Sequence, residues 1–362
     1  MTPRIAVLGV GLIGGSIGLA ARERLGAEVA GFDPDAATRE AALVTGAADT
    51  ATDSIAAAVE GAEIVFCAAP VGRLPELAAT ALELSGPEAA VSDVGSTKRD
   101  IVAALGADGR FVGGHPLAGA ETAGVTNARA DLFEGASWYL TPTEHSSGLL
   151  YDRLQRAVAG LGARPQAIDA AQHDHLMATV SGMPHAVANV LVAEAVGDLA
   201  EGERHPEVGP SFRDATRVAG SNPGIWADIF ATNSAAIADS VEAVARRLDA
   251  AAALIRTGDR ETIGAWHAAA GGDRRRLLEA ERPDGPLFEL RIIVANKPGT
   301  MARLALALGE AGVNIEDMAL HPASDMTSGA VSLWLAGEEQ AERGAAIVRG
   351  LGHGVTVVGA NG

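Results

Sequence analysis

Short apolar runs rich in β-branched residues alternate with helix-like segments through the first part of the chain. The predicted strands lie at 4–10, 27–33, 62–70, 89–96, 110–116 and 136–142. The predicted helices between them lie at 12–25, 36–46 and 73–84. Strands that alternate with helices predict a parallel sheet with helices on both faces. We therefore expect a Rossmann-type α/β domain over residues 1–168.

The pattern changes after residue 168, where apolar residues recur every three or four positions. The segment 173–201 carries Leu176, Val180, Met183, Val187 and Leu191 at this spacing, and 232–258 repeats the pattern. Such spacing predicts long helices. A helix with an apolar face and no sheet to cover often packs against a partner subunit. We expect an all-α domain over 169–283 that forms a homodimer.

The last part of the chain has a different order of elements. EAERPDGP (279–286) is typical of a linker, and a compact βαββαβ pattern follows it. This order predicts a ferredoxin-like domain over 284–362.

Composition limits the classes of partner. The chain has 362 residues, 48% of them hydrophobic, and a formal net charge of −18. An acidic chain without clustered Lys and Arg argues against nucleic acid or an anionic membrane as a partner. We find no charge-free run of membrane-spanning length, and the single cysteine, Cys67, fits a reducing compartment. A cytoplasmic protein is expected.

Gly9, Gly11 and Gly14 form a G-x-G-x-x-G motif between the first strand and the first helix. In this context the glycines permit a tight turn and a close approach to a pyrophosphate, while Leu12 and Ile13 begin a helix whose N–H groups face it. Asp33 ends the second strand and is suited to bind a ribose 2′-hydroxyl, which favours NAD over NADP. Arg39 lies close enough in sequence to weaken that preference.

Several motifs occur together in a fixed order. They are GLIGGS (11–16), SDVGSTK (92–98), GGHPLAGAE (113–121), SGMPHAVAN (181–189) and FRDATRVAGSNPGIWADI (212–229). With them, residues 4 to about 258 resemble the prephenate dehydrogenase family of tyrosine biosynthesis, which includes arogenate dehydrogenases. The segment NKPGTMARLALALGEAGVNIEDM resembles an ACT domain, a small amino-acid-sensing module.

The resemblance implies an NAD-dependent oxidative decarboxylation of prephenate to 4-hydroxyphenylpyruvate. It implies that His115 accepts the proton of the substrate 4-hydroxyl, a role that suits an imidazole with a pKa of about 6–7. Ser96 would lie beside the same hydroxyl, although its position also suits an N-cap of the helix that follows. An isolated histidine in a Gly-Pro loop would ordinarily be a turn residue.

The resemblance also implies the residues that bind substrate. His185 would face the substrate near its carboxylate end, with Ser181 on the same helical face. A core histidine is the alternative for His185. Arg217 would bind a substrate carboxylate through paired guanidinium donors. Asp214 either orients an arginine or is a solvated charge.

By the same resemblance, the C-terminal module would bind an amino acid as a feedback inhibitor, and tyrosine is the expected ligand. Its binding residues would be Asn296, Pro298, Gly299 and Asn314, with Asn314 on the second strand of the module. The alternative is a module that only strengthens the dimer.

The sequence is compatible with three alternatives to different degrees. Arogenate is as compatible with the motifs as prephenate. A β-hydroxyacid dehydrogenase would need a catalytic lysine in the helical domain, where the sequence has none. A dinucleotide-binding amino-acid sensor without turnover would not need His115, His185 and Arg217 in these motifs. His173 and His175 have no third metal ligand at a suitable spacing, so we expect no metal.

Overall fold

The computed structural model describes residues 2–119, 122–197, 207–280, 287–295, 297, 299–322 and 328–359. It divides into two compact units, Met1–Asp249 and Ala250–Gly362.

The first unit contains an eight-stranded sheet in the order β3-β2-β1-β4-β5-β6-β7-β8. Its strands are β1 (Arg4–Leu8), β2 (Glu28–Phe32), β3 (Thr50–Thr52), β4 (Ile64–Cys67), β5 (Ala90–Asp93), β6 (Phe111–Pro116), β7 (Ser137–Thr141) and β8 (Arg164–Ala167). Its helices are α1 (Leu12–Leu25), α2 (Ala36–Val44), α3 (Ile55–Val59), α4 (Leu74–Leu84), α5 (Arg99–Leu105) and α6 (Gly148–Gly160). All the predicted strands and helices of this region are present.

The sheet is mixed, so the prediction of an all-parallel sheet is wrong at one position. Strand β7 pairs with β6 in antiparallel orientation, whereas β8 is parallel to β7. Among its described residues, the connection between β6 and β7 contains a short 3₁₀ turn, Val125–Asn127, and no crossover helix. An antiparallel neighbour needs no crossover helix, which explains the reversal.

Apolar side chains from both faces of the sheet fill two clusters beneath the helices. One cluster includes Val7, Ile17, Phe133 and Trp138, and the other includes Leu8 and Leu74. Cys67 belongs to the second cluster, and burial raises the pKa of its thiol. It is therefore a small core residue.

The helical part of the chain is more broken than predicted. Its helices are α7 (Ala170–Met177), α8 (Met183–Gly197), α9 (Pro210–Thr216), α10 (Pro223–Thr232) and α11 (Ser234–Arg256). A π-helical turn, Ala178–Gly182, separates α7 from α8, so the predicted helix over 173–201 is interrupted. Pro184 follows this turn and lacks an N–H for the ordinary helical ladder, which favours an irregular hydrogen-bond pattern there. Residues 198–201 lie outside the described part.

The segment Ala170–Gly197 is long and apolar enough, by length and composition alone, to cross a membrane. It nevertheless carries His173 and Asp174, both buried within the first unit. Large apolar side chains elsewhere on α8 and α11 are exposed, namely Val190, Leu191, Val192, Val196, Leu248 and Ile255.

The second unit holds helix α12 (Arg260–Ala280) and a four-stranded antiparallel sheet. The other elements, in chain order, are β9 (Leu287–Ala295), α13 (Thr300–Glu310), β10 (Asp317–Pro322), β11 (Ser328–Ala336), α14 (Glu338–Gly350) and β12 (Val355–Val358). The strand order β10-β11-β9-β12 is that of a βαββαβ ferredoxin-like fold. Helix α12 extends into the predicted linker as far as Ala280, and residues 281–286 lie outside the described part.

Candidate active site

The turn between β1 and α1 has a shape that only glycine permits. Gly9 has φ 100°, and a Cβ there would lie 2.3 Å from the carbonyl oxygen of Ala68. A Cβ on Gly14 would lie 1.9 Å from the carbonyl oxygen of Gly9. Gly11 differs, since nothing lies within 4 Å of the Cβ position. The backbone at Gly11 therefore faces open space, as a close approach to a ligand requires.

Helix α1 begins at Leu12, directly after this turn. The first N–H groups of a helix, here those of Leu12 and Ile13, have no acceptor within the helix and carry its positive dipole end. Together with the open face of Gly11, they form a surface suited to a pyrophosphate.

Asp33 lies just past β2, beside the glycine turn. Its carboxylate accepts hydrogen bonds from the backbone N–H of Val10 at 3.2 Å and of Asp35 at 3.0 Å. Arg39 donates to the carbonyl oxygen of Asp33 at 2.8 Å and pairs with Asp53 at 3.8 Å. The residues expected to select between NAD and NADP thus lie together at the end of β2.

A cavity of about 280 Å³ opens within the first unit. Its polar lining includes Ser96, Thr97, His115, Ser181 and Asn233. Its apolar lining includes Met177, Val180, Trp226, Ile229 and Ile237. A mostly apolar pocket with a few convergent polar groups is typical of a small-molecule site.

His115 lies near the end of β6 and is only 9% exposed. Its Nδ1 is 2.8 Å from Nε2 of His173, whose Nδ1 is 2.8 Å from a carboxylate oxygen of Asp174. Burial lowers the pKa of His115 well below its usual value, and His173 and the Lys98 ammonium act in the same direction. The expected pKa of about 6–7 is therefore too high, and His115 is a neutral imidazole at neutral pH.

A buried ion pair lies behind the cavity wall. Lys98 donates to the carboxylate of Asp93, and both side chains are fully buried. The same carboxylate accepts from the N–H of Gly95 at 2.8 Å and of Gly114 at 3.1 Å. The pair thus joins the segments that carry Ser96 and His115. Burial lowers the pKa of Lys98, and Asp93 opposes this shift.

Ser96 lines the cavity but does not cap a helix. Helix α5 begins at Arg99, after Lys98 at the N-cap position, and the side chain of Lys98 makes no capping hydrogen bond. The N-cap interpretation of Ser96 is therefore wrong, because the helix begins later than the pattern predicts. The neighbouring Thr97 donates to Thr232 at 3.0 Å, which ties this loop to α10.

Ser181 lies in the π-helical turn and His185 at the start of α8. Nδ1 of His185 is 3.0 Å from the carbonyl oxygen of Ser181, and the imidazole stacks on Trp226 with ring centroids 3.3 Å apart. Partial burial lowers the pKa of His185, and the charge of Arg217 adds to this effect. Arg217 is exposed and begins the 3₁₀ turn Arg217–Gly220 after α9. Neither Arg217 nor His185 is part of the cavity lining.

The HDH sequence does not bring its two histidines together. His173 is buried and hydrogen-bonded through both ring nitrogens, whereas His175 is exposed.

Two of the four residues predicted to bind an effector, Asn296 and Pro298, lie outside the described part. Gly299 has φ 82° and precedes α13. Asn314 lies before β10, which begins at Asp317, so its predicted place on a strand is wrong. Its amide donates to Glu316 at 2.7 Å.

Sequence reasoning missed the buried partners of His115. From the sequence, His173 is weighed only as a metal ligand, and Asp174 is given no role. The sequence likewise gives no role to Asn233 or Trp226. Asn233 donates to the backbone oxygen of Asp174 at 2.7 Å, while its own buried Oδ1 has no partner among the described residues. Because buried polar atoms are normally satisfied, Oδ1 is available to a donor on a bound molecule. Helical spacing alone carries no signal for these contacts.

Two family models match this chain in succession. The prephenate dehydrogenase nucleotide-binding domain matches residues 17–166, and the prephenate dehydrogenase dimerization domain matches residues 169–268.

Individual relatives agree with the family models. Prephenate dehydrogenase of Bacillus subtilis is 31% identical over 337 residues, which cover 88% of each chain. A solved structure of prephenate dehydrogenase from Aquifex aeolicus contains hydroxyphenyl propionate and NAD+. It is 29% identical to this chain, with a TM-score of 0.72, and the match covers 76% of this chain and 99% of that one. Synechocystis arogenate dehydrogenase is 27% identical with a TM-score of 0.66, covering 76% and 99%. The chain therefore belongs to the prephenate dehydrogenase family of NAD-dependent oxidoreductases.

Proposed function

We propose that this chain converts prephenate, with NAD, to 4-hydroxyphenylpyruvate, CO2 and NADH. The observation that carries the proposal is a buried, neutral His115 in the wall of a mainly apolar cavity. Arogenate is the second candidate, since a structural relative is an arogenate dehydrogenase.

His115 would accept the proton of the substrate 4-hydroxyl. A neutral imidazole has a lone pair for this proton, and the depressed pKa keeps it available at cytoplasmic pH. Ser96, in the same cavity wall, would hydrogen-bond the same hydroxyl and keep it directed at the imidazole. The apolar residues Met177, Ile229 and Ile237 would exclude water from the ring.

Arg217 would bind a substrate carboxylate, with His185 and Ser181 beside it. A guanidinium offers paired donors that match a carboxylate, and its charge already acts on His185. These residues hold the substrate while loss of CO2 makes the ring aromatic. Aromatisation drives that step, so the protein mainly has to hold the ring and accept one proton.

NAD, when bound, supplies the acceptor for the hydride that leaves C4 of the ring. The residues that would hold it are Gly9, Gly11 and Gly14, the first N–H groups of α1 at Leu12 and Ile13, and Asp33. The Asp33 carboxylate would accept from a ribose hydroxyl and repel a 2′-phosphate. Arg39 is bound to the backbone of Asp33 and to Asp53, which supports a preference for NAD.

The proposal extends to assembly and regulation. The exposed apolar side chains of α8 and α11 and the match to a dimerization domain support a homodimer. The domain boundaries proposed are 1–168, 169–283 and 284–362, and the cytoplasm is the proposed compartment. The ferredoxin-like sheet supports an ACT-type module that binds tyrosine near Asn296, Pro298, Gly299 and Asn314.

The decisive experiment is a spectrophotometric assay of NADH formation with prephenate and with arogenate, each with NAD and with NADP. We expect prephenate with NAD to give the highest kcat/KM. His115→Asn should lower kcat by about 10²–10⁴-fold and leave NAD affinity unchanged, whereas the exposed His145→Asn should change neither. Arogenate turnover far above prephenate turnover would select the second candidate, and no turnover of either would overturn the proposal.

A further inference from the structure

The hydrogen bonds around His115 determine which of its nitrogens is free. His173 contacts Asp174 through Nδ1 and His115 through Nε2, at 2.8 Å in both cases. A carboxylate can only accept, so Nδ1 of His173 carries a proton and donates it. In a neutral His173, Nε2 is then the acceptor, and the donor must be Nδ1–H of His115. The remaining nitrogen of His115, Nε2, has a free lone pair.

Asp174 is held firmly enough to impose this order. Its two carboxylate oxygens accept from the backbone N–H of Lys98 at 2.7 Å and of Arg99 at 2.9 Å. Its backbone oxygen accepts from Asn233 at 2.7 Å. In all three contacts Asp174 accepts a hydrogen bond from an N–H group. The side chains of His173 and Asp174 are at most 2% exposed. Water therefore does not compete for these bonds.

We propose that His173 and Asp174 are positioning residues that fix His115 as the Nδ1–H tautomer, with the Nε2 lone pair available to the substrate. We call these three side chains the histidine relay. The inference rests on the proposed function, in which His115 accepts the 4-hydroxyl proton.

The relay also accounts for the movement of the proton. As the hydride leaves C4, the 4-hydroxyl proton passes to Nε2 of His115 and the oxygen forms a ring ketone. The positive charge on His115 is stabilised through His173 by the carboxylate of Asp174. The bond from C1 to the carboxylate then breaks, its electrons enter the ring, CO2 leaves, and Nε2 returns the proton to the oxygen. The opposite tautomer of His115 has no lone pair toward the substrate and cannot begin this sequence.

The charge of Lys98 acts on His115, and Asp93 pairs with Lys98. Tyr139 contacts His173 edge to face, with ring centroids 5.6 Å apart.

The first test compares kinetics of full-length variants. Asp174→Asn should lower kcat by about 10²–10⁴-fold, as expected when a histidine loses its orienting carboxylate, with little change in KM or NAD affinity. His173→Leu should behave similarly. His173→Gln, whose amide oxygen reaches the position of Nε2, should recover at least tenfold of the activity lost in His173→Leu. The exposed His175→Gln, on the same helix, is the control.

A double variant separates positioning from a general structural role. In a His115→Asn background the relay has no imidazole to orient. Adding Asp174→Asn should then lower kcat by less than about threefold. A structural role predicts the same loss in both backgrounds, and that result would overturn the inference. The inference would also be overturned if the wild-type enzyme is active and Asp174→Asn has the same kcat. If the wild-type enzyme turns over neither prephenate nor arogenate, the proposed function is rejected instead.

The tautomer can be read without any variant of the relay partners. In ¹⁵N-histidine spectra of the wild-type protein, the signals lost in His115→Asn identify this residue. We expect a protonated Nδ1 and an unprotonated Nε2. The reverse pattern would overturn the inference, even if Asp174→Asn failed to fold.

Discussion

Lys98 and Asp93 form an ion pair in which neither side chain has any exposed surface. Asp93 also accepts from Gly95 and Gly114, the residues that directly precede Ser96 and His115. The pair therefore joins two strand ends at the point where both reach the cavity, and it sets the separation of the two polar groups.

Breaking this pair should be costly. Lys98→Met leaves Asp93 as an uncompensated buried charge, and we expect a loss of about 3–5 kcal/mol in the free energy of unfolding. Urea unfolding of the variant and wild type measures this loss. Glu28→Gln, which breaks the partly exposed pair with Arg4 at 2.6 Å, should cost less than about 1 kcal/mol. Equal losses in the two variants would contradict a structural role for the Lys98 pair.

Two glycines of the dinucleotide turn should respond differently to alanine. A Cβ on Gly14 would lie 1.9 Å from the Gly9 oxygen, so Gly14→Ala should lower both stability and NAD affinity. A Cβ on Gly11 meets nothing within 4 Å, so Gly11→Ala should fold normally. It should still weaken NAD binding about tenfold or more, because the methyl group occupies the space through which the pyrophosphate approaches. Thermal unfolding and NAD titration test the pair, and unchanged NAD affinity in Gly11→Ala would place the cofactor elsewhere.

Local patterns predicted the fold well and the site only in part. The glycine turn is encoded within a few residues, so Gly9, Gly11, Gly14 and Asp33 were found from their spacing. The contact of His115 with His173 joins residues 58 positions apart and depends on the tertiary structure that brings α7 to the end of β6. Strand β8 was missed because its sequence, RPQA, has no apolar run and three of its four residues are exposed. Long-range packing and edge strands leave little trace in a single sequence.

Arg217→Ala should raise the KM for prephenate without altering NAD affinity. Removing a charged hydrogen-bond partner costs roughly 1.5–3 kcal/mol, or about 10- to 150-fold in affinity. Arg213→Ala, on the exposed side of the neighbouring α9, provides the matched control and should leave KM within about twofold. Initial-rate kinetics over both substrates distinguish these outcomes. An unchanged KM in Arg217→Ala would reject its role as the carboxylate-binding residue.

The lowered pKa of His115 has consequences for stability and for rate. The folded state binds fewer protons than the unfolded state below about pH 6.5, so the free energy of unfolding should fall as pH decreases through this range. Because the imidazole stays neutral in the folded enzyme, kcat/KM should still be on its plateau at about pH 6.5. His185, whose pKa is also lowered, acts on stability in the same direction.

Urea unfolding across this pH range, for wild type and His115→Asn, measures the stability effect. The variant should show a shallower dependence on pH without losing it, since His185 remains. If kcat/KM falls on the acid side with a midpoint above pH 6.5, the group that controls the rate is not a His115 with a lowered pKa.

The C-terminal module should carry sensitivity to tyrosine. The two family models together match residues 17–166 and 169–268, so both matched domains end before residue 279. A chain that ends after Glu279 should therefore keep prephenate turnover and lose inhibition by tyrosine. The physical basis is linkage, in which the effector favours a state with poorer substrate affinity by roughly 1–3 kcal/mol.

A point variant tests the effector site in the full-length chain. Asn314 is exposed and its amide contacts only Glu316 among the described residues, so Asn314→Ala should leave the fold intact. We expect it to raise the tyrosine concentration for half-inhibition by about tenfold, while Glu310→Ala, on the exposed surface of α13, leaves it unchanged. Inhibition curves at several prephenate concentrations separate the alternatives. If the truncated and full-length enzymes respond to tyrosine alike, and the inhibition is competitive in both, tyrosine acts at the cavity that contains His115. The C-terminal module would then have to stabilise the assembly rather than regulate it.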